Sequence, residues 1–325
     1  MPSQSPRHRY SQWKHAGKPG SNIVSVTDFP AISRKPSPVA EAFTSCFHAV
    51  SPIPHAGTMS HPIIDFHAHA FPDGLAARAI SQLERGSGAK AFLDGRVASL
   101  LASMDVAGIA TAVICSIATK SEQFEPILKW SKEIASRRIV PLPSIHPRAP
   151  DPVGQARRVA EAGLLGIKLH PYYQDFNLDD PALFPFYRAL DQLGLLVVFH
   201  TGFDFAFPRD RKGDPLRIRR ILEHVPTLKL IATHMGAWED WDEVEKHIIG
   251  QPISMDVSLS LDLLGRERAR AMILAHPADR ILFGTDSPWG DQTATLQAVR
   301  ALDLGKEREQ ALLWKNAQML LGLST

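Results

Sequence analysis

Eight short apolar runs, most of them followed by a stretch of helical period, constrain this chain more than any other feature. The runs are Pro62–Phe66, Ala110–Ser116, Ile139–Ile145, Leu165–Leu169, Leu195–Phe199, Leu228–Thr233, Ile253–Val257 and Arg280–Gly284. They are rich in Val, Ile and Leu with little polar alternation, the pattern of strands buried on both faces of a parallel sheet. Helical segments fall between them, at Arg96–Ala107, Ser121–Ser136, Pro152–Ala162, Pro181–Leu193, Pro215–His224 and Asp262–Ala275. Asp151-Pro152, Asp180-Pro181 and Asp214-Pro215 each set a capping acid before a proline suited to a first helical turn. Gly108, Gly163 and Gly194 stand where helices should stop. This α/β inventory predicts a (β/α)8 TIM barrel, a fold of typically ~250 residues. An open doubly wound sheet could use the same units. It would usually carry a Gly-rich phosphate loop after its first strand, where this chain has His67-Ala68-His69.

The barrel accounts for residues 60–325, and residues 1–59 read differently. They hold eight Pro and nine Ser, with six Lys/Arg against two Asp/Glu, and no sustained apolar period. Such a segment buries little apolar surface, so the expectation is a disordered, dispensable extension, with Met59 as an alternative start. It lacks the continuous apolar core of a signal peptide; a transit peptide is the minority reading. The chain carries 36 Lys+Arg against 34 Asp+Glu, which gives no basic field for nucleic acid. No apolar stretch approaches the ~18 to 20 residues of a membrane helix. Two cysteines, Cys46 and Cys115, supply neither a disulfide framework nor a Cys-rich zinc module. The expectation is a cytoplasmic protein acting on a small molecule, with a homodimer left open. Any metal must be held by His and carboxylates.

In a barrel the active site lies at the C-terminal strand ends. Those ends read His67-Ala68-His69, Ile145-His146-Pro147, Leu169-His170-Pro171, His200-Thr201-Gly202, His234-Met235-Gly236 and Thr285-Asp286-Ser287. Residues i and i+2 of a strand share a face, so His67 and His69 can grip one ion from one side. Imidazole suits zinc and other first-row metals, and a carboxylate completes the shell. A lone His-x-His is more often incidental; His200, His234 and Asp286 at three further tips reverse that.

The segments His67-Ala68-His69-Ala70-Phe71-Pro72, Gly166-Ile167-Lys168-Leu169-His170-Pro171, Phe199-His200-Thr201-Gly202, Ala232-Thr233-His234-Met235-Gly236 and Phe283-Gly284-Thr285-Asp286-Ser287-Pro288 together resemble the amidohydrolase superfamily. More narrowly they resemble its amidohydrolase-related branch, which includes aminocarboxymuconate-semialdehyde decarboxylase. The resemblance spans about residues 62–323. It implies a distorted barrel with a divalent metal at the C-terminal mouth, zinc in the first place and manganese as the alternative. It makes His67, His69, His200 and Asp286 the metal ligands, Asp286 and His234 the catalytic pair, and Lys168, His170 and His146 substrate-side residues. Lys168 reads as an ammonium pairing with a substrate carboxylate, ahead of a carboxylated lysine bridging two metals. His146 and His170 are as well suited to bracing a loop as to touching substrate.

The leading expectation is a metal-dependent hydrolase of a small ester, lactone or amide, since a metal-bound water becomes a nucleophile near neutral pH. Its alternative is nonoxidative decarboxylation of a small unsaturated or aromatic acid. A barrel that binds a metabolite without catalysis ranks third, because no ligand is missing. The basic run Arg217, Arg219, Arg220 reads as solvated surface and Cys115 as a small buried apolar residue.

Overall fold

A computed structural model describes residues 62–323. The extension expected over 1–59, and Met59 with it, lie outside the described residues. Eight parallel strands follow the eight apolar runs: β1 Ile63–Ala68, β2 Ile109–Cys115, β3 Ile139–Leu142, β4 Gly166–Leu169, β5 Leu196–Phe199, β6 Leu230–Ala232, β7 Ser254–Asp256 and β8 Ile281–Leu282. They pair as β1-β2-β3 and as β4-β5-β6-β7-β8. Single parallel bridges join the two sheets, Ser144 with Lys168 and Ala68 with Ser287. Lys168 N donates to Pro143 O at 2.9 Å, and Phe66 N donates to Phe283 O at 2.7 Å. Those narrow seams close the barrel. No helix among the described residues is long and apolar enough to cross a membrane.

The helices begin where the Asp-Pro pairs lie. Asp151 accepts from Gly154 N at 2.7 Å, Asp180 from Ala182 N at 3.0 Å and Asp214 from Leu216 N at 3.2 Å. Each carboxylate satisfies a first-turn N–H that the helix itself cannot. Gly108 ends the helix Val97–Ala107 in the left-handed region at φ 72°. Two expected helices differ in detail. Asp262–Ala275 is divided at Gly265 into Leu261–Leu264 and Arg266–Ala275, and the Ser121–Ser136 helix begins regularly only at Phe124.

Two apolar clusters form the core. One fills the barrel interior with alternate strand residues, Ile64 and Phe66 from β1, Val113 and Cys115 from β2, and Leu196 and Val198 from β5, and Ala317 and Leu321 of the C-terminal helix pack onto it. The other packs the outer faces, with Ala112, Ile114, Val197 and Phe199, beneath the helices. Strict alternation from Ile64 and Phe66 would aim His67 outward. Instead the register slips: Asp65 pairs with Ala112 and Ala68 with Ile114, three residues on β1 against two on β2. That extra residue inverts the alternation, sends Ala68 to the outer cluster and turns His67 and His69 into the mouth.

Beyond β5, Gly202 sits at φ 87°, and a Cβ there would collide with the backbone of Trp238. Trp238 N donates to Thr201 O and Phe203 N to Trp238 O, each at 2.9 Å, so the loops after β5 and β6 meet backbone to backbone. Gly202→Ala is therefore expected to cost about 2 kcal/mol or more, combining left-handed strain with overpacking. A urea unfolding midpoint equal to wild type would refute this.

Candidate metal centre

His67 and His69 stand at and just past the end of β1. His67 Nδ1 lies 3.0 Å from Asp256 Oδ2, and His69 Nδ1 lies 2.6 Å from Cys115 O. A carboxylate and a carbonyl only accept, so both Nδ1 atoms carry the proton, and in the neutral ring both Nε2 atoms are left bare. His200 Nε2 donates to Phe203 O at 3.1 Å, which leaves Nδ1 bare. His234 Nδ1 sits 3.2 Å from Ser258 O and 2.9 Å from Ser258 Oγ, which leaves its Nε2 bare. The four nitrogens form two close pairs in the same pocket. His67 Nε2 is 3.2 Å from His69 Nε2, and His234 Nε2 is 3.1 Å from His200 Nδ1. Asp286 Oδ1 closes the group at 3.2 Å from His67 Nε2 and 2.9 Å from His69 Nε2.

Lone pairs facing lone pairs repel unless a cation lies between them. Lys168 Nζ, 3.1 Å from His67 Nε2 and 1% exposed, is the donor that reaches into the group. One ammonium cannot satisfy four nitrogens and a carboxylate. Donors on one ion with bonds of ~2.1 Å stand about 3.0–3.4 Å apart, close to the spacing among His67, His69 and Asp286 and between His200 and His234. The donor set thus fits a divalent cation. His67, His69 and Asp286 form one cluster whose ligating atoms all lie within 4.8 Å of one another. His200 is not in that cluster; it groups in the same way with His170 and Asp204, and reaches toward the centre through Nδ1.

Burial sets the charge states. It pushes His67 down to about 4 and also lowers His234 and Lys168. For Asp286, burial works against ionisation, but His67, His69 and His234 outweigh it and hold the carboxyl well below its usual range. Neutral imidazoles beside an ionised carboxylate are the forms that bind a metal. His234 and Asp286 also adopt positive φ, 60° and 59°. Non-glycine residues hold that conformation only where their surroundings impose it, and such positions cluster at functional sites.

Among the residues singled out in the sequence, the structure brings His67, His69, Lys168, His170, His200, His234 and Asp286 to one pocket. His146 is not among its lining residues. The chain leaves β3 at Leu142, and His146 Nδ1 instead accepts Arg148 N–H at 3.2 Å, bracing the loop. The apolar wall comes from Phe71, Tyr173, Phe205, Trp238, Leu259 and Trp289. Three partners had no reading from the sequence. Asp256, 0% exposed, binds His67 and accepts from His234 N; Ser258 bridges Asp256 and His234; Asp204 lies beside His170 and His200. A carboxylate inside the apolar run Ile253–Val257 was the available signal for Asp256.

Filling this centre gives a direct test. Protein purified without chelator is expected to carry about one divalent ion per chain, by the open-site coordination logic of His/carboxylate centres. Elemental analysis checks it, and protein that takes up neither zinc nor manganese would rule the centre out.

Comparison with known proteins agrees with this architecture. The amidohydrolase family model matches residues 64–323. Solved structures with the same fold include an uncharacterised TIM-barrel protein from Bordetella bronchiseptica, at TM-score 0.62 and 20% identity over 81% of this chain and 99% of that one. The 5-carboxyvanillate decarboxylase LigW from Sphingomonas paucimobilis aligns at TM-score 0.60 and 16% identity, over 82% and 100%. A dihydroxybenzoic acid decarboxylase from Polaromonas sp. JS666, solved with manganese and the inhibitor 2-nitroresorcinol, aligns at 0.61 and 15%, over 81% and 98%. No curated protein matches the sequence.

Proposed function

Because the chain belongs to the amidohydrolase family, we propose that it is a divalent-metal enzyme that removes carbon dioxide, without oxidation, from a small aromatic or unsaturated acid. The observation that carries this reading is Lys168, a cation fixed at the floor of an aromatic-walled pocket. Burial lowers the lysine, and a carboxylate beside it would favour the ammonium. A neutral ester would add no negative charge to those that Asp286 and Asp256 already set near the lysine. The decarboxylases among the structural likenesses act on small aromatic acids by their descriptions, and this supports the same reading.

The ion, zinc or manganese, would supply positive charge to the oxygens of the substrate. Lys168 would hold the carboxylate, while Tyr173, Trp238 and Trp289 confine the flat skeleton and exclude water. As the carbon–carbon bond breaks, its electron pair stays on the ring carbon and carbon dioxide leaves. That carbon then needs one proton. Asp286, ionised at rest, takes a proton from solvent or from an acidic hydroxyl of the substrate and passes it on. His234 Nε2 can hold a substrate hydroxyl opposite.

Hydrolysis of a small ester or lactone is the second reading. It draws on the same ionised Asp286, which is the form a base toward water requires. Metal-loaded protein should be incubated with 2,6-dihydroxybenzoate, 5-carboxyvanillate and related acids, and in parallel with aryl esters and lactones. Carbon dioxide release is expected from at least one acid. Ester or lactone turnover, with no carbon dioxide from any acid, would overturn the proposal. With a working acid, Lys168→Met should raise KM by about 10- to 100-fold, as for loss of one partner of a buried charge pair. An unchanged KM would remove Lys168 from substrate binding.

A further inference from the structure

His170, His200 and Asp204 form a second buried group beside the centre. A second metal ion is the first thing such a trio suggests, and its ring geometry argues against one. The imidazoles of His170 and His200 are stacked, with centroids 4.0 Å apart and planes 12° from parallel. A metal binds imidazole in the ring plane along the nitrogen lone pair at ~2.0–2.1 Å. Two nearly parallel planes stacked face to face share no such point.

The hydrogen bonds point elsewhere. Asp204 Oδ1 accepts Ala206 N–H at 2.8 Å, which fixes the carboxylate within its own loop. The other oxygen, Oδ2, lies 3.3 Å from His170 Nε2 and 3.7 Å from His200 Nε2. Phe203 O takes the His200 Nε2 proton at 3.1 Å. The His170 backbone is pinned from the far side: its N–H donates to Gln174 Oε1 at 2.8 Å, and Gln174 Nε2 donates to Ala118 O and Ile145 O. His170 is therefore a fixed plate against which the His200 ring lies flat.

We propose that Asp204 is a positioning residue: Oδ2, 3.3 Å from His170 Nε2, fixes the His170 ring, and the His200 ring, stacked on it with Nε2–H donated to Phe203 O, offers Nδ1, and only Nδ1, to the metal. Carboxylates behind metal-binding histidines fix tautomer and ring orientation, and their loss typically weakens metal binding 10- to 100-fold. Sequence separates Asp204 from His200 by one helical turn's spacing, yet the segment is a loop, so the contact comes from the loop's own fold. The inference rests on the metal centre and not on which bond the enzyme breaks.

The test is metal affinity of the full chain, measured with Zn2+ and Co2+ in competition with a chromogenic chelator. Asp204→Ala should weaken binding by about 10- to 100-fold. Asp204→Asn, which keeps an acceptor oxygen, should fall between the two, and the visible spectrum of the Co2+ form should change in both. The thermal midpoint of the metal-free protein should stay at the wild-type value. Should the Ala variant fail to fold, the Asn variant carries the comparison. Wild-type affinity in both variants would overturn the proposal. So would an equal loss of metal-free stability, which would make the role merely structural. Two ions on the wild type, one of them lost in Asp204→Ala, would replace it with a second metal site. A wild type that binds one ion and decarboxylates nothing would sink only the decarboxylase reading.

Discussion

His67→Ala combined with His69→Ala is expected to strip the protein of its metal and its turnover together. Both Nε2 atoms are bare because their Nδ1 protons are committed, to Asp256 and to Cys115 O. Removing the two rings leaves Asp286 with no imidazole from β1 and with Lys168 as its remaining close cation. An ammonium beside a lone carboxylate forms an ion pair, and that competes with metal binding. Neutral imidazoles, by contrast, supply lone pairs at no cost in charge. His146→Ala is the matched control, since its ring braces a loop away from the pocket. Metal content by elemental analysis and turnover on a working substrate should both collapse in the double variant and both persist in the control. Retention of a full equivalent of metal in the double variant would place the ion elsewhere.

The barrel was readable because its determinants are local. Val/Ile/Leu runs mark strands wherever they fall, and Asp-Pro pairs mark helix starts with their own side chains. The convergence of His67, His69, His200, His234 and Asp286 on one pocket followed from their places at strand ends. What could not be read depends on register or on loop conformation. The slip between Asp65 and Ala68 decides whether His67 faces in or out, and no residue of β1 announces it. Asp256 and Ser258 gained meaning only once β7 lay beside β6 and one strand away from β1. Asp204 meets His170 through the fold of one loop. His146 carried the same strand-end signature as His170, but β3 ends four residues before it, so its side chain has left the sheet. The helix division at Gly265 likewise escaped a reading by period, because one residue at φ 75° interrupts the helix while the apolar pattern runs through it.

Asp286→Asn separates holding the metal from moving the proton. The side chain keeps its shape and one oxygen, and His67, His69, His200 and His234 remain around it, so much of the metal should stay bound. What is lost is the group's capacity to take up and release a proton. In the wild type that capacity exists because the carboxyl is ionised at rest: burial opposes the charge, and the surrounding histidines outweigh burial. An amide in the same place cannot accept the proton in either reading of the function. Turnover should therefore drop by on the order of 10²- to 10⁴-fold, the usual contribution of a positioned acid or base. The left-handed backbone at Asp286, φ 59°, does not spoil the comparison, because asparagine tolerates that region as readily as aspartate. His67 O continues to accept the residue's N–H at 2.7 Å. Metal analysis and steady-state kinetics on the same preparation decide the matter. Near wild-type turnover with metal bound would show that the proton travels by another route, with His234 the next group to replace.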